Sequence, residues 1–190
     1  MKTINYVLSG LGGQGILFMT KVLATTALNK GFNILGAETH GMAQRGGSVV
    51  SHLRIGDAGS SLVRAGSADF LISMDESEAY RYLPYLKKGG QLFANAGSKS
   101  FPDKRVAAYL KKNKIDAFAM EASKKAMDLG SPKSTNLAMV AFYAAFGMGP
   151  LNAGDLRSTV DSMSPAKVKG INLKIFDACY DAGKKIASAR

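Results

Sequence analysis

Hydrophobic residues recur along this chain at two different periods, and the switches between them mark its elements. Residues 3–10, TINYVLSG, rich in apolar and β-prone side chains and ending in glycine, predict a buried strand. In residues 13–31, GQGILFMTKVLATTALNKG, apolar positions return at helical spacing and stop at Gly31, a natural residue just past a helix C-terminus. FNILGA, residues 32–37, predicts a second strand. Strand, helix and strand joined by short turns predict a βαβ unit whose strands pair in parallel through a right-handed crossover. SVVSHLRI, residues 48–55, alternates and predicts a half-buried strand with His52 on its exposed face. ADFLISM and GGQLFANA predict two more strands, separated by DESEAYRYLPYLKK, whose Ala79, Tyr82, Leu83 and Leu86 share one helical face.

Beyond Phe101 the pattern is mostly helical. DKRVAAYLKK predicts a helix, IDAFAM a short strand and EASKKAMDLG another helix. STNLAMVAFYAAFG is apolar nearly all round and so predicts a central helix. AGDLRSTVDSM begins at a capping-competent position, and AKVKGINLKIFDACYDAGKKI follows Pro165 at a helix start. Nothing reads as a linker or an internal repeat. The expected architecture is a single α/β domain over residues 1–190: a Rossmann-like three-layer domain with a mostly parallel sheet and a helical C-terminal third.

Composition narrows the class. With 46% hydrophobic and 21% charged residues the chain can bury a sizeable core, which argues against disorder. No apolar run reaches the roughly 18 residues that cross a bilayer, and the N-terminus reads as a strand entering a turn, so the expectation is a soluble, unprocessed, cytoplasmic protein. The one cysteine, Cys179, allows no intrachain disulfide and no cysteine-held iron–sulfur cluster built from this chain alone. Two histidines and no HExxH or CxxC spacing give a metal site no support. The formal charge is +11, but the lysines fall in short groups near predicted helix ends, where they favour the helix dipole and solvent. No nucleic-acid motif accompanies them, so no nucleic-acid partner is expected.

Two stretches carry candidate chemistry. Gly10, Gly12 and Gly15, with Gly13 and Gln14 between them, fit G-x-G-x-x-G between a strand and a helix, and Glu38 follows the second strand where a ribose-binding acid would lie. In that setting the glycines turn the chain and let backbone N–H groups approach an anion at the helix N-terminus. They serve equally well for tight strand-to-helix packing with no ligand. A free-standing NAD-binding dehydrogenase is the corresponding alternative function.

The second stretch makes plain NAD binding less attractive. In AETHGMAQRGGSVVSHLRIG, residues 37–56, His40, Gln44 and Arg45 lie among Gly41, Gly46 and Gly47 directly after the second strand. So many hydrogen-bonding side chains are poorly suited to a dry core, and the glycines permit close backbone approach. Arg45 is the most useful chemically, because a planar cation pairs with a carboxylate or phosphate through two hydrogen bonds, although an internal bridge to Glu38 accounts for it equally. His40 reads more readily as a hydrogen-bonded structural residue than as an acid–base catalyst. Asp75, Glu76, Thr135 and Asn136 read as helix caps.

GLGGQG, ETHGMAQRGGSVVSHLRIG, ADFLISMDESEAYRYLPYLKKGG, STNLAMVAFYAAFG and KGINLKIFDACYDAG together resemble the gamma subunit or domain of the 2-oxoacid:ferredoxin oxidoreductases, almost from end to end. The resemblance implies a subunit of an enzyme that decarboxylates arylpyruvates such as indolepyruvate, passes two electrons to ferredoxin and transfers the acyl group to coenzyme A. It also implies that thiamine diphosphate and the iron–sulfur clusters reside in a larger partner subunit. His40, Gly41, Gln44, Arg45, Gly46 and Gly47 would then face that partner or the coenzyme A cleft.

Overall fold

The computed structural model describes residues 2–39, 46–97 and 101–189. Six strands form one sheet: β1 (Ile4–Leu11), β2 (Ile34–Thr39), β3 (Ser48–Ile55), β4 (Ala68–Ser73), β5 (Leu86–Asn95) and β6 (Asp116–Met120), in the spatial order β2-β3-β1-β4-β5-β6. β1, β4, β5 and β6 pair in parallel, whereas β3 runs antiparallel to both β1 and β2. The parallel pairing expected between the first two strands is therefore corrected. They run in the same direction, but β3 lies between them, paired from Ile4↔Ile55 to Leu11↔Ser48 on one side and from Ile34↔Ile55 to Thr39↔Val50 on the other.

Helices cover both faces. α1 (Ile16–Asn29), α4 (Ala122–Asp128), α5 (Thr135–Ala144), α6 (Ala153–Met163) and α7 (Ala166–Ser188) form one layer, and α2 (Glu76–Tyr82) and α3 (Lys104–Lys112) the other. Strand periodicity divides the core accordingly: Tyr6 and Leu8 join the cluster under α1 and α5, while Val7 joins that under α2 and α3. All ten residues of α5 are buried, as its all-round apolar sequence predicts. Its Tyr143 hydroxyl donates to the Met148 carbonyl at 2.8 Å and lies 2.8 Å from the Tyr6 hydroxyl, so both buried phenols are partnered. Burial pushes both phenols well above their ordinary pKa.

Local signals end the helices as expected. Gly31 takes φ +76° past α1, with its N–H on the Leu28 carbonyl at 2.8 Å. The Asn152 side chain accepts from Asp155 N–H at 2.9 Å at the start of α6. The helix expected over residues 75–88 is shorter: α2 stops at Tyr82, a 3-10 turn holds Leu83–Tyr85 around Pro84, and Leu86 already belongs to β5. Proline lacks the N–H that a continuing helix needs.

His52 is the other correction. It is 3% exposed, because Val63, in the segment after β3, and Tyr85 close over that face. Its Nδ1 accepts from Val63 N–H at 3.4 Å, which requires an uncharged ring protonated on Nε2, and burial lowers its pKa. A depressed folded-state pKa contributes stability that is complete above the unfolded value of about 6.5 and is lost as pH falls toward the folded value. The His52 ring is therefore expected to titrate below that value by NMR, and chemical denaturation is expected to show stability falling from pH 7 to pH 5 less steeply in His52→Gln. A His52 midpoint at or above 6.5 would contradict this.

Candidate functional site

β1 ends at Leu11, and its ladder with β3 continues into the glycine turn. Gly12 N–H donates to the Gly47 carbonyl at 2.7 Å, and Gly46 N–H donates to the Gly12 carbonyl at 3.4 Å. The two glycine-rich stretches singled out by sequence thus meet backbone to backbone, and the Gly12 amide that a pyrophosphate would approach is engaged by the polar loop's own stem. Gln14 closes the turn from inside: its backbone N–H donates to the Leu11 carbonyl at 3.1 Å, and its Oε1 accepts from Leu11 N–H at 2.7 Å.

Gly10 and Gly15 are packing positions. A Cβ on Gly10 would lie 2.6 Å from both Gln14 Oε1 and Ile16 Cδ1 and 2.9 Å from Met74 Cβ. On Gly15, at φ +80°, it would lie 2.4 Å from Asn136 Nδ2. Asn136 accepts Leu137 N–H at 2.8 Å and donates to the Gly15 carbonyl at 3.4 Å, so it ties the start of α5 to the turn. The Thr135 hydroxyl donates to the Pro132 carbonyl. Gly13, at φ +96°, has open space around it. Gly15 caps α1 without a side chain, leaving the positive end of that helix dipole beside the turn.

The loop stem is held on its other side by α2. Ser48 donates to Glu78 and lies 3.2 Å from the Tyr82 hydroxyl, and Glu78, only 2% exposed, accepts from Arg81 Nε at 2.9 Å. Sequence reasoning missed Glu78. Asp75 and Glu76 read as helix caps, and Asp75 indeed caps the Ser77 and Glu78 amides at 2.9 and 3.2 Å, while Glu78 carries no sequence signal of its own. Which acid turns inward is decided by where Ser48 lies.

Glu38 is exposed on β2, opposite Ser51 of β3. With β3 intervening it stands two strand spacings from β1, roughly 10 Å, rather than on the adjoining strand as in a dinucleotide fold. His40, Gly41, Gln44 and Arg45 lie outside the described residues. Among the described residues no group of three His, Cys, Asp or Glu side chains could hold a metal, and no helix is long and apolar enough to cross a membrane. Cys179 is buried in α7, where burial pushes its thiol up to about 11. A single buried thiol does not fit an iron–sulfur cluster, which takes several thiolates.

Fold and site together define an α/β domain whose glycine turn grips a neighbouring loop. The pyruvate ferredoxin/flavodoxin oxidoreductase family profile matches residues 5–182, and the chain belongs to that family. It is 34% identical to the indolepyruvate oxidoreductase subunit IorB of Pyrococcus horikoshii over 98% of each chain. Its fold matches the gamma subunit of a keto/oxoacid ferredoxin oxidoreductase from Geobacter sulfurreducens with a TM-score of 0.74 and 22% identity, over 98% of this chain and 99% of that one. It also matches the 2-oxoglutarate:ferredoxin oxidoreductase of Magnetococcus marinus, solved with 2-oxoglutarate, coenzyme A and succinyl-CoA bound, with a TM-score of 0.76 and 18% identity. That match covers all of this chain but 32% of the longer one.

The packing roles of the glycines are testable. Gly10→Ala overfills a closed space and is expected to destabilise the chain by roughly 1–3 kcal/mol. Gly170→Ala, at an exposed position of α7 with nothing near the new methyl, is expected to stabilise it by up to about 1 kcal/mol. Urea denaturation of both variants checks this, and equal effects would contradict it.

Proposed function

We propose that this chain is the small subunit of an arylpyruvate ferredoxin oxidoreductase with indolepyruvate as its characteristic substrate. The enzyme converts a 2-oxoacid and coenzyme A to an acyl-CoA and carbon dioxide, passing two electrons to ferredoxin. The observation that carries this reading is the 34% identity to an indolepyruvate oxidoreductase subunit along essentially the whole of both chains. Thiamine diphosphate supplies the carbanion chemistry and iron–sulfur clusters carry the electrons, both in the large subunit. This chain, with one buried thiol, contributes shape and charge instead.

Its contribution is to seat the loop of residues 40–47. The glycine turn holds the stem through Gly46 and Gly47, and Glu78 holds it through Ser48. That presents His40, Gln44 and Arg45 to the large subunit or to the coenzyme A entrance. Arg45 supplies a planar cation for a partner carboxylate or a coenzyme A phosphate. Gly10, Gly12, Gly13, Gln14 and Gly15 serve the seat rather than a nucleotide, and Glu38 does not act on a ribose.

The isolated chain is expected to show no turnover of indolepyruvate with coenzyme A and ferredoxin, and activity is expected to appear on addition of the large subunit. Turnover by the isolated chain would overturn the assignment. Arg45→Ala is expected to leave the isolated chain's melting temperature nearly unchanged. Loss of a desolvated charge pair at the subunit boundary would cost assembly roughly 2–5 kcal/mol in a calorimetric titration; loss of a coenzyme A contact would instead raise the apparent KM for coenzyme A. Unchanged assembly and kinetics would return Arg45 to solvent, and a large loss of stability would assign it to a bridge with Glu38.

A further inference from the structure

The end of the sheet where β1 begins and β3 finishes carries a cavity that the seating of the loop does not use. It measures about 460 Å3 and lies between Asn5 of β1, Arg54 of β3 and the segment that follows β3. The glycine turn is at the opposite end of β1, beyond Leu11. Arg54 is held in place on one side. Its Nε donates to Asn5 Oδ1 at 2.8 Å, and its Nη1 donates to the Ser60 carbonyl at 2.9 Å and to Ser60 Oγ at 3.1 Å. Asn5 is itself fixed, its Nδ2 donating to the Ser67 carbonyl at 2.9 Å. The Nη2 donors of Arg54 are left without a partner among the described residues. Arg64 lines the same cavity, and its guanidinium has no hydrogen bond or ion pair among the described residues. The backbone N–H groups of Gly59 and Ser60, also in the lining, donate to no described group. No acid is among the described residues of the lining; Asp69, which accepts from Asn5 N–H at 2.8 Å, is paired with Lys87.

We propose that this cavity binds the dianion of a phosphate monoester, with Arg54 and Arg64 on its oxygens and the ester's carbon portion against Leu62. Two guanidiniums lining one cavity repel each other, and a dianion between them replaces the repulsion with charge-assisted hydrogen bonds. A single carboxylate balances only one of the two cations. Planar guanidinium forks match phosphate oxygens, and neighbouring backbone N–H groups add donors to the same oxyanion. Ser60 Oγ accepts from Arg54, which leaves its O–H free to donate to that anion as well. Leu62, 55% exposed on the cavity wall, gives the carbon portion an apolar surface. The recess favours a small ligand over an acidic side chain of another protein, because its volume lies in the range of small-molecule sites. The inference does not depend on the small-subunit reading.

Amide NMR of the isolated chain in a phosphate-free buffer tests this, with inorganic phosphate, glycerol 3-phosphate and adenosine 5′-monophosphate as probes. Saturable shifts of the Gly59 and Ser60 amides and of Arg54 Nε–H are expected at millimolar probe. Arg64 has no described partner to lose, so Arg64→Gln is expected to keep the wild-type melting temperature while weakening binding roughly tenfold, as loss of a charge-assisted hydrogen bond does. Arg54→Lys, which keeps the charge and loses the fork, is expected to weaken binding too. Lys88→Gln and Lys111→Gln remove the same charge at exposed positions outside the cavity and are expected to leave affinity within about twofold of wild type. Tighter binding of the mononucleotide than of glycerol 3-phosphate would assign the phosphate to a nucleotide and the reverse to a smaller ester; either supports the site. Absence of saturable shifts would overturn it. So would an equal loss from the two lysine variants, which would reduce the binding to general attraction by the +11 charge. Succinate bound as tightly as the phosphates would overturn the phosphate assignment. Failure to bind any probe, with Arg64→Gln weakening association with the large subunit, would assign the arginines to a partner carboxylate and overturn the proposal while leaving the small-subunit reading intact.

Discussion

The hydrogen bond from Gly12 N–H to the Gly47 carbonyl, 2.7 Å long, carries the β1–β3 ladder one step past its last paired residues and into the glycine turn. It exists because β3 occupies the place beside β1 that β2 would take in a simple βαβ unit. With β3 there, the amide that would face an anion faces the neighbouring strand's loop, and the acid on β2 is moved one strand farther away. A sequence pattern shared with nucleotide-binding turns is thereby turned to joining two segments of the same chain. The pattern fixes backbone geometry, and what that backbone meets is decided by the neighbouring strand.

The rest of the fold keeps this junction stiff. Gly10 and Gly15 let Gln14, Ile16, Met74 and Asn136 close on the turn from three elements. α5 stands behind it with every residue buried, anchored by the Tyr6–Tyr143 hydroxyl pair and by Phe142 and Phe146, which make edge contacts to Phe93 about 5–6 Å between ring centres. Glu78 grips the loop stem from the opposite face. The stem of the loop, Gly46 to Ser48, is thus set by packed core on both sides.

Much of this was legible in the sequence, and the misses share a cause. Every strand and helix is present near its expected place, because each rests on a local period or a local stop, such as Gly31 after α1 and Pro165 before α7. What local signals do not encode is which elements become neighbours. The alternation in β3 matches a strand with one exposed face, yet Val63 and Tyr85, 11 and 33 residues farther along the chain, close over His52. The position of β3 between β1 and β2, and the inward turn of Glu78, likewise follow from pairings across tens of residues. In the candidate site, the two glycine-rich stretches were legible as unusual, whereas their contact with one another was not.

The most direct measurement of the central claim, that the glycine turn is committed to the loop, is amide hydrogen exchange at Gly12 and Gly46 in the isolated chain, alone and with excess NADH. Both amides are expected to be protected in the free chain, in proportion to its global stability, with no change on adding the nucleotide. Free exchange at Gly12 that becomes slow only when NADH is present would contradict the account and return the turn to nucleotide binding.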